Sequence, residues 1–317
     1  MRTGVLGTIA GKEFRDHVRS RRFHLFLGVM LVIVVAGMVT GAAQYSADLA
    51  AYAETQAVVS GESGPSAGGP SVLSFFSGMF MSTAQVGVFL GIAMGFDLVT
   101  REKESKSLKI LLSHPVYRDE VISGKALGGV AAIALAMGVV LILSLAVMLV
   151  FGIVPGPDEA LRILAAALIS FFLIVSFFVL ALFFSTVAET SGGALVSSFL
   201  VFIIVAEVVP VLTVGAGSSL LTGPSPSPPA ESGDLVSAEE MEAYEEASRA
   251  YTERMRLVRD AGVLLSPQTN CKGILNAVTT PGVPVPPDFA RNIVAFAVFP
   301  AAFFGLAWVR FLREDIR

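Results

Sequence analysis

Six long runs of apolar residues constrain this sequence more than any other feature. Each has about 20 residues or more, the length that an α-helix needs to cross ~30 Å of hydrocarbon. Because backbone polar groups in lipid must be hydrogen-bonded within the segment, such runs form helices. We therefore predict an all-α integral membrane protein, a bundle of six transmembrane helices. They are expected at residues 23–43, 73–96, 126–150, 163–184, 192–214 and 289–309.

The composition supports this class. Hydrophobic residues make up 54% of the 317 residues and charged residues only 15%, whereas a soluble domain of this size carries more charge. The single cysteine, Cys271, excludes an internal disulfide and a cysteine-based metal cluster. No spacing of histidine or methionine side chains indicates a metal site either.

The cations set the expected orientation. Residues 1–22 carry six Lys and Arg, residues 97–125 carry another six, and residues 44–72 carry none. Loops rich in Lys and Arg stay on the cytoplasmic side of a membrane. With six spans, both termini and the 97–125 loop are therefore expected in the cytoplasm, and residues 44–72 and 215–288 outside.

Residues 1–22 have the pattern of an amphipathic helix lying on the cytoplasmic membrane surface. Ile9, Phe14 and Val18 are spaced to face the membrane while the cations face headgroups. Two roles stay open for this helix, a plain lipid anchor and a contact with another subunit.

The segment 215–288, between spans five and six, has internal structure. A spacer rich in Pro and Ser precedes a predicted helix from Ser237 to Gly262, with Glu240 at capping-box spacing from Ser237. One face of this helix is apolar, which fits a solvated surface element, a dimer contact or an extracytoplasmic gate. Residues 264–287 are broken by Pro and Gly, so we expect a re-entrant or interfacial pair of short helices there.

Two polar residues within the predicted spans are candidates for a functional role. Glu207 is surrounded by apolar residues, and an intramembrane carboxylate usually faces protein or a cavity. It is a candidate for the substrate pathway or gating, or a snorkelling group that bonds backbone freed by Pro210. Gln85 is a weaker pathway candidate, because hydrogen bonding between helices also explains it. A dense stripe of small residues at 124–134 predicts close helix packing or dimerisation.

The 97–125 loop carries an ordered pattern of charged and apolar residues. An acidic residue ends the second span, and a charged turn, a leucine pair, a proline, an arginine and a Gly-Lys follow before the third span. These are Asp97, Arg101, Glu102, Glu104, Leu111, Leu112, Pro115, Arg118, Gly124 and Lys125. The pattern resembles the signature of permease subunits of type-2, exporter-type ABC transporters, with Lys106–Ser107 in place of their usual Gly-Thr.

The resemblance covers essentially the whole chain. Within the family, the sequence looks closest to the multi-span branch that includes the permease of nitrous-oxide-reductase maturation systems. The family resemblance implies that the 97–125 loop forms a cytoplasmic coupling helix that docks in a groove of a separate ATPase subunit. The residues that match the coupling region are Asp97, Arg101, Glu102, Lys103, Glu104, Leu108, Leu111, Leu112, Pro115 and Arg118. An ordinary interfacial helix with solvated charges is the alternative.

No G-x-x-x-x-G-K-[ST] motif occurs, so the chain itself is not expected to bind a nucleotide or any other cofactor. By resemblance, ATP and Mg are used by an ABC ATPase subunit that pairs with this permease and with a second copy or a homologue. Membrane lipid is the other expected partner, and no nucleic acid is. The family implies the plasma membrane of a prokaryote and export of a substrate.

Other functions stay open. A secondary transporter driven by an ion gradient requires paired acids or broken helices near mid-membrane, and Glu207 alone is available. A membrane-embedded enzyme is disfavoured, because H-E-x-x-H is absent and no acid–base pair lies within the predicted spans. A scaffold without transport activity is the remaining alternative.

Overall fold

The computed structural model describes residues 3–59, 72–107, 117–229, 237–280 and 289–314. Four residues of the expected coupling region, Leu108, Leu111, Leu112 and Pro115, lie outside these ranges. Six of the described helices are long and apolar enough to cross a membrane, which confirms the predicted number.

The helices are numbered in chain order. They are α1 Thr3–Arg19, α2 Arg21–Val59, α3 Val72–Gly95, α4 Thr100–Glu104, α5 Arg118–Val150, α6 Pro157–Val187, α7 Ser191–Ile203, α8 Val209–Thr213, α9 Ser219–Thr222, α10 Ala238–Leu265, α11 Pro267–Thr279 and α12 Phe289–Leu312. The six candidate spans are α2, α3, α5, α6, the α7–α8 pair and α12.

Several spans extend beyond the predicted apolar runs. Helix α6 begins at Pro157, where a proline in the first turn lacks only an N–H that would be unpaired anyway. Glu159 closes that end by accepting a hydrogen bond from the Gly156 N–H at 2.9 Å. Helix α5 begins at Arg118, and acids in its first turn favour that start by complementing the helix dipole.

Glycines allow the closest helix contact of the bundle. Gly87, Gly91 and Gly95 lie one turn apart on α3, and a Cβ on any of them would collide with α6 at Ile174 or Phe178. Such a stripe of small residues lets two backbones approach each other in a membrane. Helices α3 and α6 therefore form the centre of the bundle, with Phe177 and Phe178 fully buried between neighbouring helices.

The fifth span is not a continuous α-helix. A π-helical segment, Ile204–Val208, separates α7 from α8. Pro210 follows it and has no N–H to donate to the preceding turn, so the regular hydrogen-bond pattern is interrupted there.

The chain termini mark one end of the bundle. We call it the terminal end; it contains α1, α4, the start of α5 and the end of α12. The opposite end contains α10 and α11. The predicted capping box of α10 is present, since the Ser237 hydroxyl accepts the Glu240 N–H while Glu240 Oε2 accepts the Ser237 N–H, both at 3.2 Å.

Of the expected pair of short helices after α10, the described residues contain one, α11, which begins at Pro267. The rest of that segment, residues 281–287, lies outside the described ranges. Gln268, Asn270 and Cys271 on α11 are buried, because this helix packs between α6 and α12 instead of lying on the surface. The Asn270 side-chain amide donates to the Val263 carbonyl at 2.7 Å and so fixes α11 to the end of α10.

Candidate functional site

A buried lysine organises the terminal end. Lys125, near the start of α5, is 2% exposed. Its Nζ lies 2.9 Å from Glu13 Oε1 on α1 and 2.7 Å from Glu102 Oε1 on α4. One ammonium group therefore joins three helices that are far apart in sequence, at a depth where an unpaired charge would be costly.

Helix α1 docks on α5 through glycines. A Cβ on Gly124 would meet Ile9, and a Cβ on Gly128 would meet Glu13 and the Ala10 carbonyl. The small-residue stripe predicted at 124–134 is thus used, in its first half, to seat α1 against the bundle. The apolar residues expected to face lipid are shared with this contact, since Ile9, Phe14 and Val18 pack on the core.

A second lysine ties α4 to the C-terminal region. Lys103 Nζ lies 2.9 Å from Glu314 Oε1 and donates to the Thr186 carbonyl at the end of α6 at 2.7 Å. Arg118 donates from Nη1 to the carbonyls of Leu312 at 3.1 Å and Glu314 at 2.6 Å. Because cations satisfy the unpaired carbonyls at a helix C-terminus, these contacts also close the ends of α6 and α12.

Helix α4 is also hydrogen-bonded to the junction of α6 and α7. Ser185 Oγ accepts the N–H groups of Val99 at 2.9 Å and Thr100 at 3.1 Å. The Glu104 carboxylate accepts the Ser191 N–H at 2.7 Å and the Ser191 hydroxyl at 2.8 Å. A carboxylate at this position also complements the N-terminal dipole of α7.

Asp97 precedes α4 and is paired with the start of the first span. Its Oδ2 lies 2.6 Å from Arg22 Nη1, and the Arg22 guanidinium lies over the Phe96 ring, 5.0 Å from the ring centre. The charge pair and the cation–π contact both fix the turn between α3 and α4.

We call Glu13, Glu102, Lys103, Lys125 and Glu314 the inner cluster. Three of the ten predicted coupling residues, Glu102, Lys103 and Glu104, are thus bonded within the chain. Asp97 and Arg118 are bonded to other parts of the bundle in the same way. The sequence suggested these charges for docking a partner, and the structure places them in contacts that hold α4.

The outward surface of α4 has a different composition. Arg101, Ser105 and Lys106 are exposed. Lys106 has φ of 55°, a left-handed conformation that glycine adopts without strain. That conformation turns the chain away from α4 directly after the exposed residues.

A polar cleft of about 510 Å³ separates α1 from α4 and is lined by both signs of charge. Burial raises the pKa of Glu13, but the charge and hydrogen bond of Lys125 outweigh it and leave that pKa lowered. Burial lowers the pKa of His17 in the same cleft, against the opposing charges of Glu13 and Asp97. Near neutral pH the cleft therefore contains an ionised Glu13 and a neutral His17.

The two intramembrane candidates are not brought into this site. Glu207 lies in the π-helical segment and is exposed on the surface of the single chain, as is Gln85 on α3. Phe89, one turn from Gln85, packs on Phe199 and Phe202 of α7, so Gln85 borders the contact between α3 and the fifth span. Among the residues that the structure describes, no group of three His, Cys, Asp or Glu side chains is arranged to hold a metal ion.

Sequence reasoning missed the partners of the predicted residues. Glu13, Ser185, Ser191 and Glu314 complete the site, and all lie at least 20 positions from the residue that they bind. Ser185, Ser191 and Glu314 have one signal in the sequence, their position just outside an apolar run, where a polar side chain needs a partner. Glu13 lies within the amphipathic segment 1–22 and has no such signal.

The family model described as "ABC-2 family transporter protein" matches residues 7–316, nearly the whole chain. None of the curated proteins matches the sequence. The narrower resemblance to permeases of nitrous-oxide-reductase maturation stays a prediction.

Proposed function

This chain belongs to the ABC-2 family of transporter proteins and is a transmembrane component of an ABC transporter; we propose that it is the permease subunit on which a separate ATPase subunit acts through α4. One observation carries the proposal. Helix α4 is held to α1, α5, α6, α7 and the C-terminal region, while its other face presents Arg101, Ser105 and Lys106 to solution.

Helix α4 can transmit force only if it is held rigidly by the rest of the chain. A five-residue helix has too few internal hydrogen bonds to transmit force by itself. The contacts of Glu102 with Lys125 and of Lys103 with Glu314 couple α4 to the third and sixth spans. Movement of α4 by a docked ATPase would therefore displace whole helices, which is the step that reorients a transport pathway.

The proposed arrangement places the terminal end in the cytoplasm of a prokaryote, where the ATPase uses ATP and Mg. A second copy of this chain, or a homologue, completes a two-fold transporter whose direction is export. The orientation is supported by the cations in residues 1–22 and 97–125. Gln85 and Glu207, exposed at the edge of α3 and the fifth span, would then face the second permease or the pathway.

Co-purification tests the ATPase contact. A tagged chain is purified from the membranes of its source cell, and an associated ATPase is identified by mass spectrometry and by magnesium-dependent ATP hydrolysis. The double variant Arg101→Glu/Lys106→Glu reverses two exposed charges of α4 and is expected to lower ATPase yield about tenfold, since charge complementarity sets such encounters.

The matched control reverses two exposed arginines at the opposite end, Arg249→Glu/Arg256→Glu, with the same change in net charge. Unchanged ATPase yield is expected for this control. If both double variants retain the ATPase equally, the outward face of α4 is not its docking site.

One observation favours a different class of transporter. The fifth span is interrupted beside Glu207, and broken helices with an acid are typical of sites in secondary transporters. Measurement of solute uptake by the reconstituted chain, without any ATPase, distinguishes the two functions. Solute uptake driven by a proton gradient, abolished by Glu207→Gln, would favour the secondary transporter.

A further inference from the structure

Helix α10 presents an apolar face that the described residues cover only in part. From Met241 to Val258 none of the residues on that face is buried: Met241 is 44% exposed, and the others are half-buried. Most of the stability of a helix in a protein comes from packing of its apolar face, so a stripe along α10 that is still partly exposed calls for a partner.

The stripe follows a heptad. Successive members are spaced by three and four residues, which places them at the a and d positions of a coiled-coil seam. They are Met241, Tyr244, Ser248, Tyr251, Met255 and Val258. Gly262, next in the series, is already covered by Thr213 of the same chain, so the free seam ends near Val258.

The charges beside the seam determine whether two copies of this helix can pair in a parallel or an antiparallel orientation. In this register Glu240 and Arg254 occupy g positions, while Glu245 and Arg259 occupy e positions. In a parallel pair of identical helices g faces e of the next heptad, which would place Glu240 against Glu245 and Arg254 against Arg259. Both contacts are repulsive, and like charges at these positions oppose pairing.

The antiparallel arrangement reverses the sign of both contacts. Facing helices then bring e positions together and g positions together, and Ser248 meets Tyr251 of the second copy at the centre. In that register Glu245 faces Arg259 and Glu240 faces Arg254, each contact occurring twice because of the two-fold symmetry. The acidic first half and basic second half of the helix are thus complementary to a reversed copy of themselves.

We propose that α10 forms an antiparallel coiled coil with α10 of a second copy of this chain. The inference goes beyond the proposed function and rests on it for one element, the presence of two permeases in one complex. Because a two-fold axis normal to the membrane relates those copies, antiparallel helices must run roughly parallel to the membrane surface. The pair would bridge the two subunits at the end remote from α4.

The anchoring of α10 is compatible with such a bridge. Arg291 at the start of α12 lies 2.8 Å from Asp260 Oδ2, and Val263 is buried, so the C-terminal end of the helix is fixed to its own subunit. The portion from Ala238 to Val258 projects from that anchor and is free to reach across to the other copy.

Cross-linking tests both the contact and its direction. Two differently tagged copies are co-expressed, one with Ser248→Cys and one with Tyr251→Cys, and membrane vesicles are treated with a short bismaleimide. The buried native Cys271 serves as the background control. Antiparallel pairing predicts a product that contains both tags, about tenfold above the pair Glu246→Cys/Glu246→Cys, which lies on the outer face of the helix.

Charge reversal provides the second measurement. Glu245→Arg should reduce the 248–251 cross-link about tenfold, because two favourable contacts become repulsive, and Glu245→Arg/Arg259→Glu should restore it. Glu246→Arg makes the same charge change away from the seam and should leave the cross-link unchanged.

Two results would overturn the proposal. Preferential 248–248 and 251–251 products, strengthened by Glu245→Arg, would establish a parallel pair. Absence of all these products, in a sample that still purifies as a permease dimer with its ATPase, would show that α10 has another partner while leaving the proposed function intact.

Discussion

The two ends of the molecule use charge in opposite ways. At the terminal end, Lys125 and Lys103 each join helices that are distant in sequence, and their carboxylate partners are mostly shielded from water. On α10, the Arg249–Glu245 pair links residues four positions apart and is largely exposed. Shielded pairs between elements fix geometry, whereas exposed local pairs contribute little and leave side chains available for other contacts.

The difference corresponds to different mechanical roles. The inner cluster connects α1, α4, α5 and the C-terminal region into one body, so force applied to α4 is passed on. Helix α10 is attached to its subunit mainly near Asp260 and Gly262, so the rest of it is available as a contact surface.

Removal of Lys125 should have the largest effect. Lys125→Ala leaves Glu13 and Glu102 without their shared partner in a poorly hydrated site, at a cost of about 3–5 kcal/mol. The measurement is the free energy of unfolding of purified protein in detergent. Arg249→Ala is the matched change on α10 and should cost less than ~1 kcal/mol. Equal losses for the two variants would contradict the contrast between the ends.

Crowding the α1–α5 contact should have the next largest effect. Gly128→Leu drives side-chain atoms into Glu13 and the Ala10 carbonyl, at a cost of about 1–3 kcal/mol, and separates α1 from the bundle. Protease sensitivity of α1 and thermal unfolding report the change. Gly138→Leu on the same helix is the control, since no atom lies within 4 Å of a Cβ there. A Gly128 variant with the same protease resistance as wild type would show that α1 is not held by this contact.

A stabilising change is expected at the turn after α4. Lys106→Gly removes the strain of a left-handed residue and should raise unfolding free energy by roughly 0.5–1 kcal/mol. Thermal unfolding checks this, with Ser105→Gly as the control, because Ser105 has a right-handed φ of −81° and gains no such relief. Destabilisation by Lys106→Gly would mean that the lysine side chain makes a contact worth more than the strain.

A pH effect of smaller size is expected in the α1–α4 cleft. The pKa of His17 is lowered by burial, so the unfolded chain binds the proton more readily than the folded one. This contribution to stability is full above the ordinary value of 6.5 and is lost as the pH falls through the folded pKa. Thermal unfolding between pH 7.5 and 5.5 (about two units around the ordinary histidine value) measures it. A His17→Asn variant with an unchanged pH profile would assign the effect elsewhere.

The sequence was sufficient to predict features that depend only on neighbouring residues. Runs of apolar residues predicted six spans, and Ser237 with Glu240 predicted the start of α10, because length and capping depend on neighbouring residues only. The start of α5 at Arg118 was not predicted, since its polar first turns are stabilised by contacts with distant residues.

The inner cluster could not be predicted from spacing. Nothing in the sequence pairs Lys103 with Glu314 or Glu13 with Lys125, because these contacts depend on how the helices pack. The glycines at 87, 91 and 95 were a missed signal, since their four-residue spacing marks a close helix contact. The coupling, pathway and partner roles of the predicted residues stay predictions.

ATP hydrolysis by the associated ATPase, with this chain in nanodiscs, tests the central claim most directly. We expect wild-type chain and the Arg249→Glu/Arg256→Glu control to change the hydrolysis rate equally. Arg101→Glu/Lys106→Glu should lose that effect together with binding. The opposite result, a hydrolysis rate that is indifferent to α4 while the chain alone moves solute uphill, would contradict the account.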